Sequence, residues 1–335
     1  MTLKKANLTK ISGVGVAVPP KLLTNQDLEK MVETSNDWIV ERTGIKSRHI
    51  VEPGVTTSDL AAEAALDVLK KTGVKPEEVE LIIVATITPD MHLPATACLV
   101  QHKIGATGAW GFDLSIACSG FLYALQVGAQ FVGNGVHKNV LVIGMEVMSS
   151  IIDYTDRTTC IIFGDGGGAA LLQPSSSEEE GCFGDFLFEV DGSGGDHLCV
   201  PAGGSKMPTS QETLDKRMHF VKQDGKAVFK YAVRKMPELC VNLLARNGLS
   251  GEDVDLFIPH QANLRIITAA AERLGLPMEK VLVNIDEYGN TTAGTLPLAI
   301  DTAIKRGQLK KGDLVLFATM GAGLSAGAAL VRWGY

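Results

Sequence analysis

The chain has 335 residues, of which 45% are hydrophobic, 21% are charged and 36 are glycines. This length suits one large domain or two domains of middle size. The share of charged residues is ordinary for a globular protein, which excludes global disorder. The net charge of −7 disfavours unselective nucleic-acid binding, which needs a cationic surface. No apolar run approaches the roughly 20 residues that cross a bilayer, and neither a secretory signal nor a C-x-x-C pair is visible, so we expect a cytoplasmic protein with its six cysteines reduced.

The first predicted elements alternate between strand and helix. An apolar, β-branched run over Ile11–Val18 predicts a strand. Thr24 and Asp27 resemble a capping box at the start of a short helix, which we place at Asn25–Thr34. Apolar residues with helical spacing then cover Ser58–Lys71, so a longer helix is predicted there.

Three short, continuous apolar runs follow along the chain: Leu81–Ala85, Val140–Ile143 and Leu314–Phe317. Runs of this kind are typical of strands that are buried on both faces. Strands that alternate with helices in this way predict an α/β fold, and we expect a largely parallel sheet.

The chain also contains an internal repeat. Residues 69–83 and 244–258 are similar segments in which Gly73 and Gly248 take the same place, and further correspondences follow in the same order. We therefore predict two duplicated halves, residues 1–180 and 181–335, which bury a shared interface with a cleft. The alternative is that any helix–glycine–strand unit looks alike.

Cys118 lies between a predicted strand that ends near Leu114 and an apolar helical run that begins near Phe121. The dipole at a helix N-terminus lowers the pKa of a thiol, and the backbone amides there can hold an oxyanion. We therefore predict a reactive thiolate at Cys118. The alternative is an inert buried thiol, which is our interpretation of the other five cysteines.

His260 and Asn290 are candidate partners of Cys118. His260 follows a predicted strand of the second half, and Asn290 lies between a strand and a helix. A structural histidine and an ordinary Gly-Asn turn are the alternatives. Two similar halves would bring the three residues toward one cleft, where a cysteine nucleophile with His and Asn nearby supports acyl transfer through a thioester. The local signature of papain-type proteases is absent.

Five stretches occur in order along almost the whole chain: residues 37–45, 117–121, 163–166, 259–263 and 288–292. Together they resemble β-ketoacyl-acyl carrier protein synthase III, the initiating condensing enzyme of bacterial fatty-acid synthesis in the thiolase superfamily. The resemblance implies a five-layered α-β-α-β-α fold of two duplicated halves in a homodimer. It also implies condensation of an acyl-CoA primer with malonyl-acyl carrier protein, giving a 3-oxoacyl-carrier product, CO2 and CoA.

The same resemblance implies a role for each central residue. Cys118 would be the nucleophile that becomes acylated, while His260 and Asn290 would donate hydrogen bonds to the malonyl thioester oxygen and stabilise the enolate formed on decarboxylation. The amides of Cys118 and Gly323 match the oxyanion hole. Leu93 stands in the acyl pocket, where family members commonly carry a phenylalanine from the partner subunit, so primer length and branching stay open.

A CoA site and a carrier-protein surface are implied as well, with CoA as part of a substrate and no resident cofactor. The residues that match the CoA site are Trp38, Arg42, Thr43, Arg157, Phe229, Ala262 and Asn263. Arg265 and Lys230 match positions that meet the acidic acyl carrier protein, although Glu272 beside Arg273 leaves a second basic cluster incomplete. The alternative is a core tryptophan and solvated charges.

Other functions fit less well. Gly13 and Gly15 lack the third glycine and the helix of a dinucleotide-binding fingerprint, and no P-loop, G-x-S-x-G elbow, H-E-x-x-H motif or metal site is visible. Chain-elongating synthases use two histidines where this chain has His260 and Asn290. A related condensing or acyl-transferring enzyme of secondary metabolism would share all three residues and remains the alternative, whereas a non-catalytic scaffold would not need them.

Overall fold

The computed structural model describes residues 8–335. The strands up to residue 174 are β1 (Thr9–Ala17), β2 (Lys21–Thr24), β3 (Ser47–Ile50), β4 (Leu81–Ala85), β5 (Trp110–Leu114), β6 (Val140–Glu146) and β7 (Gly166–Pro174). The helices of the same part are α1 (Asn25–Leu28), α2 (Asn36–Thr43), α3 (Thr57–Thr72), α4 (Thr96–Ile104) and α5 (Gly120–Gly133).

The rest of the chain repeats this mixture of elements. Its strands are β8 (Cys182–Val190), β9 (Leu198–Cys199), β10 (Lys222–Gln223), β11 (Leu256–Pro259), β12 (Leu314–Gly321) and β13 (Ser325–Arg332). Its helices are α6 (Gln211–Asp215), α7 (Gly225–Asn247), α8 (Leu264–Leu274), α9 (Ile285–Tyr288) and α10 (Thr295–Lys305). Within residues 8–335, no helix is both long enough and apolar enough to span a membrane.

Two large sheets organise the molecule. One has the strand order β1-β7-β6-β4-β5 and the other β11-β12-β13-β8. Strand β4 runs parallel to β5 and β6, and β11 runs parallel to β12, but the remaining neighbours are antiparallel. The expectation of a largely parallel sheet is therefore wrong, because β12 and β13 form a hairpin and β1, β7 and β8 run against their neighbours.

The two sheets draw on separate parts of the chain, on either side of residues 175–181. The division into duplicated halves at residue 180 stays a prediction, and the first seven residues of the predicted first half lie outside the described residues.

Helices α5 and α10 lie between the two sheets, where Phe121 and Ile300 share a buried cluster with Ile83 and Val315. The opposite face of the first sheet packs against α3 and α4, and that of the second sheet packs against α7 and α8. In β4, Ile83 faces the central helices while its neighbours face the outer ones, which is why the strand is apolar throughout. The resulting order of layers is α-β-α-β-α, which confirms the predicted thiolase-like fold.

Several local predictions are also tested by the structure. The capping box of Thr24 and Asp27 is confirmed, but the helix that it starts ends at Leu28 rather than at Thr34. Beyond it, the Glu29 carboxylate accepts the amide of Asn36 at 2.6 Å, which turns the chain toward α2. Helix α3 begins and ends within one residue of the predicted bounds and stops at Gly73, in the left-handed conformation with φ 72°.

Candidate active site

Cys118 lies in a single 3-10 turn, Ala117–Ser119, between β5 and α5. Ala117 has φ 48°, a left-handed conformation that L-residues with side chains rarely adopt. The turn is tied to β13, because the hydroxyl of Ser325 donates to that of Ser119 at 3.0 Å. The thiol of Cys118 is thereby held in a fixed place at the start of α5, where only 6% of the residue is exposed.

The prediction of a lowered thiol pKa at Cys118 is wrong. Burial, and after it the nearby Glu146, raises the pKa of Cys118 to about 12. The hydroxyl of Thr292 and the Cys118 amide act in the opposite direction but do not compensate. Loss of hydration therefore raises the thiol pKa by more than the amides at the helix start lower it.

His260 follows β11 directly and is 2% exposed. Its backbone amide donates to the carbonyl of Ala318 at 2.7 Å, so the histidine continues the pairing of β11 with β12. Burial lowers the pKa of His260 to about 3, so the imidazole is neutral near neutral pH. Its buried Nδ1 has no hydrogen-bond partner within the described chain. Buried polar atoms without a hydrogen-bond partner are uncommon in folded proteins.

Asn290 is held by its backbone and by its side chain. Its amide donates to the carbonyl of Ile162 at 2.9 Å and its carbonyl accepts from Gly164 at 3.1 Å, so that it pairs with Phe163. The side-chain Oδ1 accepts the amide of Thr292 at 2.9 Å. Since Oδ1 is used in this way, the Nδ2 group is left as the donor of the side chain.

A cavity of about 190 Å³ brings Cys118, His260 and Asn290 together, with Phe163 and Gly321 also in its lining. The cysteine comes from the turn before α5, whereas the histidine and the asparagine come from the second part of the chain. The internal repeat predicted that two similar halves would bring these three residues toward one cleft. The chemical roles of the three residues remain a prediction.

A second cavity, of about 270 Å³, lies on another side of Cys118 and shares Phe163 and Leu198 with the first. The rest of its lining is mainly apolar: Ile87, Ala117, Met148, Ile151, Cys199, Val200, Val221, Thr292 and Ala322. The thiol thus lies at the junction of a cavity with polar groups and an apolar cavity.

Comparison with known proteins adds to this geometry. Residues 112–192 match the family profile of 3-oxoacyl-[acyl-carrier-protein] synthase III, and residues 244–333 match that of its C-terminal part. The β-ketoacyl-[acyl-carrier-protein] synthase III of Solibacter usitatus is 60% identical over 97% of this chain and 99% of its own length. The chain belongs to this family.

Two further relatives agree with that assignment. The synthase III of Koribacter versatilis is 58% identical over 97% of this chain and 98% of its own length. The crystal structure of the synthase III from Aquifex aeolicus VF5 has a TM-score of 0.90 at 45% identity, and covers 97% of this chain and 100% of its own. As a family member, the chain is a condensing enzyme of fatty-acid biosynthesis, an acyltransferase with a thiolase-like fold.

Four of the residues predicted for CoA lie in the lining of the polar cavity of this synthase. Thr43, Phe229, Ala262 and Asn263 line it together with the three central residues. Asn263 connects two elements: its Nδ2 donates to the carbonyl of Arg42 at 2.9 Å, and its Oδ1 caps α8.

The remaining predicted CoA residues cluster on Trp38. The guanidinium groups of Arg42 and Arg157 lie over the indole ring, 5.7 and 5.2 Å from its centroid. Both arginines are exposed and Trp38 is half-buried. A flat aromatic and two cations are suited to a nucleotide, since they offer stacking and charge to the same ligand.

The two residues predicted to meet the carrier protein have different surroundings. Arg265 is exposed, and its guanidinium lies over the ring of Phe229, 5.1 Å from the centroid, which places the charge at the polar cavity. Lys230 is exposed on α7 but lines a separate depression with Asp191 and Arg234. It does not share a cavity with Cys118.

Two other predicted site residues lie outside both cavities of the synthase. Leu93 is 84% exposed and is not in the lining of either one. Gly323, predicted as an oxyanion donor, is also missing from both linings, whereas its neighbours Gly321 and Ala322 each line one. The turn between β12 and β13 thus reaches the site through residues that precede Gly323.

Sequence reasoning missed three groups near the thiol: Thr292, Leu198 and Glu146. Glu146 is fully buried at the end of β6. An acid directly after an apolar strand was a detectable signal, because a buried carboxylate must find hydrogen-bond donors. Leu198 had no such signal, since β9 and β10 are only two residues long. Among residues 8–335, no cluster of three or more His, Cys, Asp or Glu residues could hold a metal ion.

Proposed function

We propose that the chain condenses an acyl-CoA primer, acetyl-CoA or another short acyl-CoA, with malonyl-acyl carrier protein, and thereby starts fatty-acid synthesis. The products are 3-oxoacyl-carrier protein, CO2 and CoA. The observation that carries the proposal is the meeting of Cys118, His260 and Asn290 in one cavity, while Cys118 also lines a second, apolar cavity. The CoA thioester is a substrate, so the reaction uses no resident cofactor.

The first step is acyl transfer to Cys118. Its sulfur attacks the thioester carbonyl, an acyl–sulfur bond forms, the bond to the CoA sulfur breaks, and the thiol proton leaves with CoA. The amides of Cys118 and Gly323 stabilise the oxyanion. The acyl chain enters the apolar cavity beside Ile87 and Met148, where removal of its methylene groups from water favours binding.

The second step is decarboxylation of the malonyl group. A neutral His260 and the Nδ2 group of Asn290 donate hydrogen bonds to the thioester oxygen, which becomes the enolate oxygen as CO2 leaves. The carbanion then attacks the acyl group on Cys118, forming the new carbon–carbon bond and releasing the cysteine sulfur as a thiolate, which takes a proton from water to restore the thiol. Burial supports this role of His260, because it keeps the imidazole in the neutral form.

Acyl carrier protein is the proposed macromolecular partner. Arg265 supports this, because an exposed cation at the mouth of the polar cavity attracts an acidic protein even though the whole chain has a net charge of −7. Lys230 on α7 adds a second cation on a neighbouring surface.

A cytoplasmic homodimer is the proposed form of the enzyme. Strand β5 is an edge of the first sheet and carries Trp110, which is 47% exposed, and the apolar Leu93 is 84% exposed. Exposed apolar side chains and an open sheet edge favour pairing with a second copy. In that arrangement Leu93 would complete the acyl pocket of the partner subunit.

The test of the mechanism separates its two steps. His260→Ala and Asn290→Ala should each slow CO2 release from malonyl-carrier protein by about 10²–10³, the usual effect of removing one oxyanion donor, while acylation of Cys118 by acetyl-CoA persists. The matched control is His102→Ala, which changes an exposed histidine on α4. Decarboxylation at the wild-type rate in both site variants would overturn the assignment.

A further inference from the structure

Glu146 forms a network of hydrogen bonds at the end of β6. Strands β4 and β6 pair in parallel register up to Ala85 and Gly144, after which β4 ends. The Thr86 amide still donates to the Leu114 carbonyl of β5 at 3.2 Å, but the amides of Ile87 and Thr88 do not donate to a strand carbonyl of the described residues. Backbone amides that are buried need other acceptors. Glu146 lies two residues beyond Gly144 and is completely buried. Its carboxylate therefore replaces the missing strand as an acceptor.

The donors to Glu146 all come from residues 86–88. Its Oε2 accepts the amides of Ile87 and Thr88, each at 3.1 Å. The same oxygen accepts the hydroxyls of Thr86 at 3.0 Å and of Thr88 at 2.6 Å. One buried carboxyl group thus fixes three successive residues.

Thr88 extends the network to the next segment of the chain. Its hydroxyl donates to Glu146 and also accepts the amide of Val147 at 2.9 Å. Ile87, which precedes Thr88, and Met148, which follows Val147, both line the apolar cavity with Cys118. The network of Glu146 and Thr88 therefore links the chain segments that carry two lining residues of that cavity.

We propose that Glu146 and Thr88 determine which primers the enzyme accepts, by fixing the positions of Ile87 and Met148 relative to each other in the lining of the apolar cavity. They are positioning residues, since they act on the acyl chain through these two side chains. The inference rests on the proposed function, in which that cavity receives the acyl chain of the CoA thioester. One methylene more or less in an apolar pocket changes kcat/KM by about 10–200-fold, so a small movement of either wall changes the discrimination between primers.

The test compares two substitutions of similar shape. Thr88→Val removes the hydroxyl that joins Glu146 to Val147. Thr86→Val removes a different hydroxyl from the same carboxylate, and with it one of two acceptors of the Thr88 amide, but it leaves the Glu146 acceptor of that amide and the Val147 contact in place. The measured quantity is kcat/KM for acylation of Cys118 by hexanoyl-CoA relative to acetyl-CoA, followed by intact-protein mass without malonyl-carrier protein. Thr88→Val should shift this ratio toward the longer primer by about tenfold or more, and Thr86→Val should keep the wild-type ratio.

A wild-type ratio in Thr88→Val, or an equal shift in Thr86→Val, would overturn the inference. If Thr88→Val does not fold, Glu146→Asp takes its place, because it keeps the acidic group but withdraws it from residues 86–88. The ratio of hexanoyl-CoA to acetyl-CoA should then shift in the same direction, and a wild-type ratio in this variant would overturn the inference. A wild-type chain that no acyl-CoA acylates would give a different result, since it would refute the proposed function itself.

Discussion

Burial acts on Cys118 and His260 in opposite directions and favours the uncharged form of both. It raises the pKa of the Cys118 thiol to about 12 and lowers the pKa of the His260 imidazole to about 3. A neutral thiol can give its proton to the departing CoA sulfur, and a neutral imidazole can donate a hydrogen bond without adding positive charge. Both properties suit the two proposed steps.

The lowered pKa of His260 predicts the pH dependence of decarboxylation. Because the folded-state pKa lies below the ordinary value of 6.5, the active neutral form persists as the pH falls. The rate of CO2 release from malonyl-carrier protein should therefore stay constant from about pH 8 to about pH 5. A fall with a midpoint near 6.5 that is absent from His260→Ala would contradict the assigned state of the histidine.

The central residues could be predicted from the sequence because each belongs to a local motif. The sign of the pKa shift at Cys118 could not, since it depends on burial and on Glu146, which lies in another strand. The role of Gly323 stays a prediction, because the conformation of the turn between β12 and β13 decides which of its amides face the cavities.

At the scale of elements, glycines let the two parts of the chain approach at the backbone. Gly144 of β6 lies against the carbonyl of Ala293, in the turn that follows Asn290, and a methyl group at this position would collide with it. Gly294 lies against Gly166 at the start of β7 in the same way. Part of the glycine excess thus serves the contact that brings Asn290 toward the site of Cys118.

Gly144→Ala should therefore destabilise the fold by about 1–3 kcal/mol, the usual cost of overpacking a dense core. The measurement is the midpoint of unfolding in guanidinium chloride, read by circular dichroism. Gly204→Ala is the matched control, because no atom lies within 4 Å of a methyl group placed there. Equal stability of the two variants would show that the backbones at Gly144 can separate at little cost.

Apolar runs located the strand cores, but they did not predict strand ends or directions. Strand β6 continues beyond Ile143 to Glu146 because it also pairs with β7. The antiparallel strands were missed because short apolar runs look alike in either direction, and the direction is set by connections such as the hairpin between β12 and β13.

At the scale of the whole molecule, the repeat led to the expectation of one cleft between two similar parts, and the structure places Cys118 and His260 in one cavity. The sequence could not show that a second, apolar cavity meets the same thiol, because its lining comes from segments without a common pattern, among them β9 and the residue before β10. In the proposed reaction this second cavity receives the acyl chain that Cys118 carries.

The most direct test of the account is the mass of the intact chain after incubation with acetyl-CoA alone. We predict one added acetyl group, located on Cys118, absent from Cys118→Ala and retained in Cys199→Ala, which removes the other thiol of the apolar cavity. An unmodified wild-type chain, or the same adduct in Cys118→Ala, would contradict the central claim that Cys118 is the acyl-accepting nucleophile.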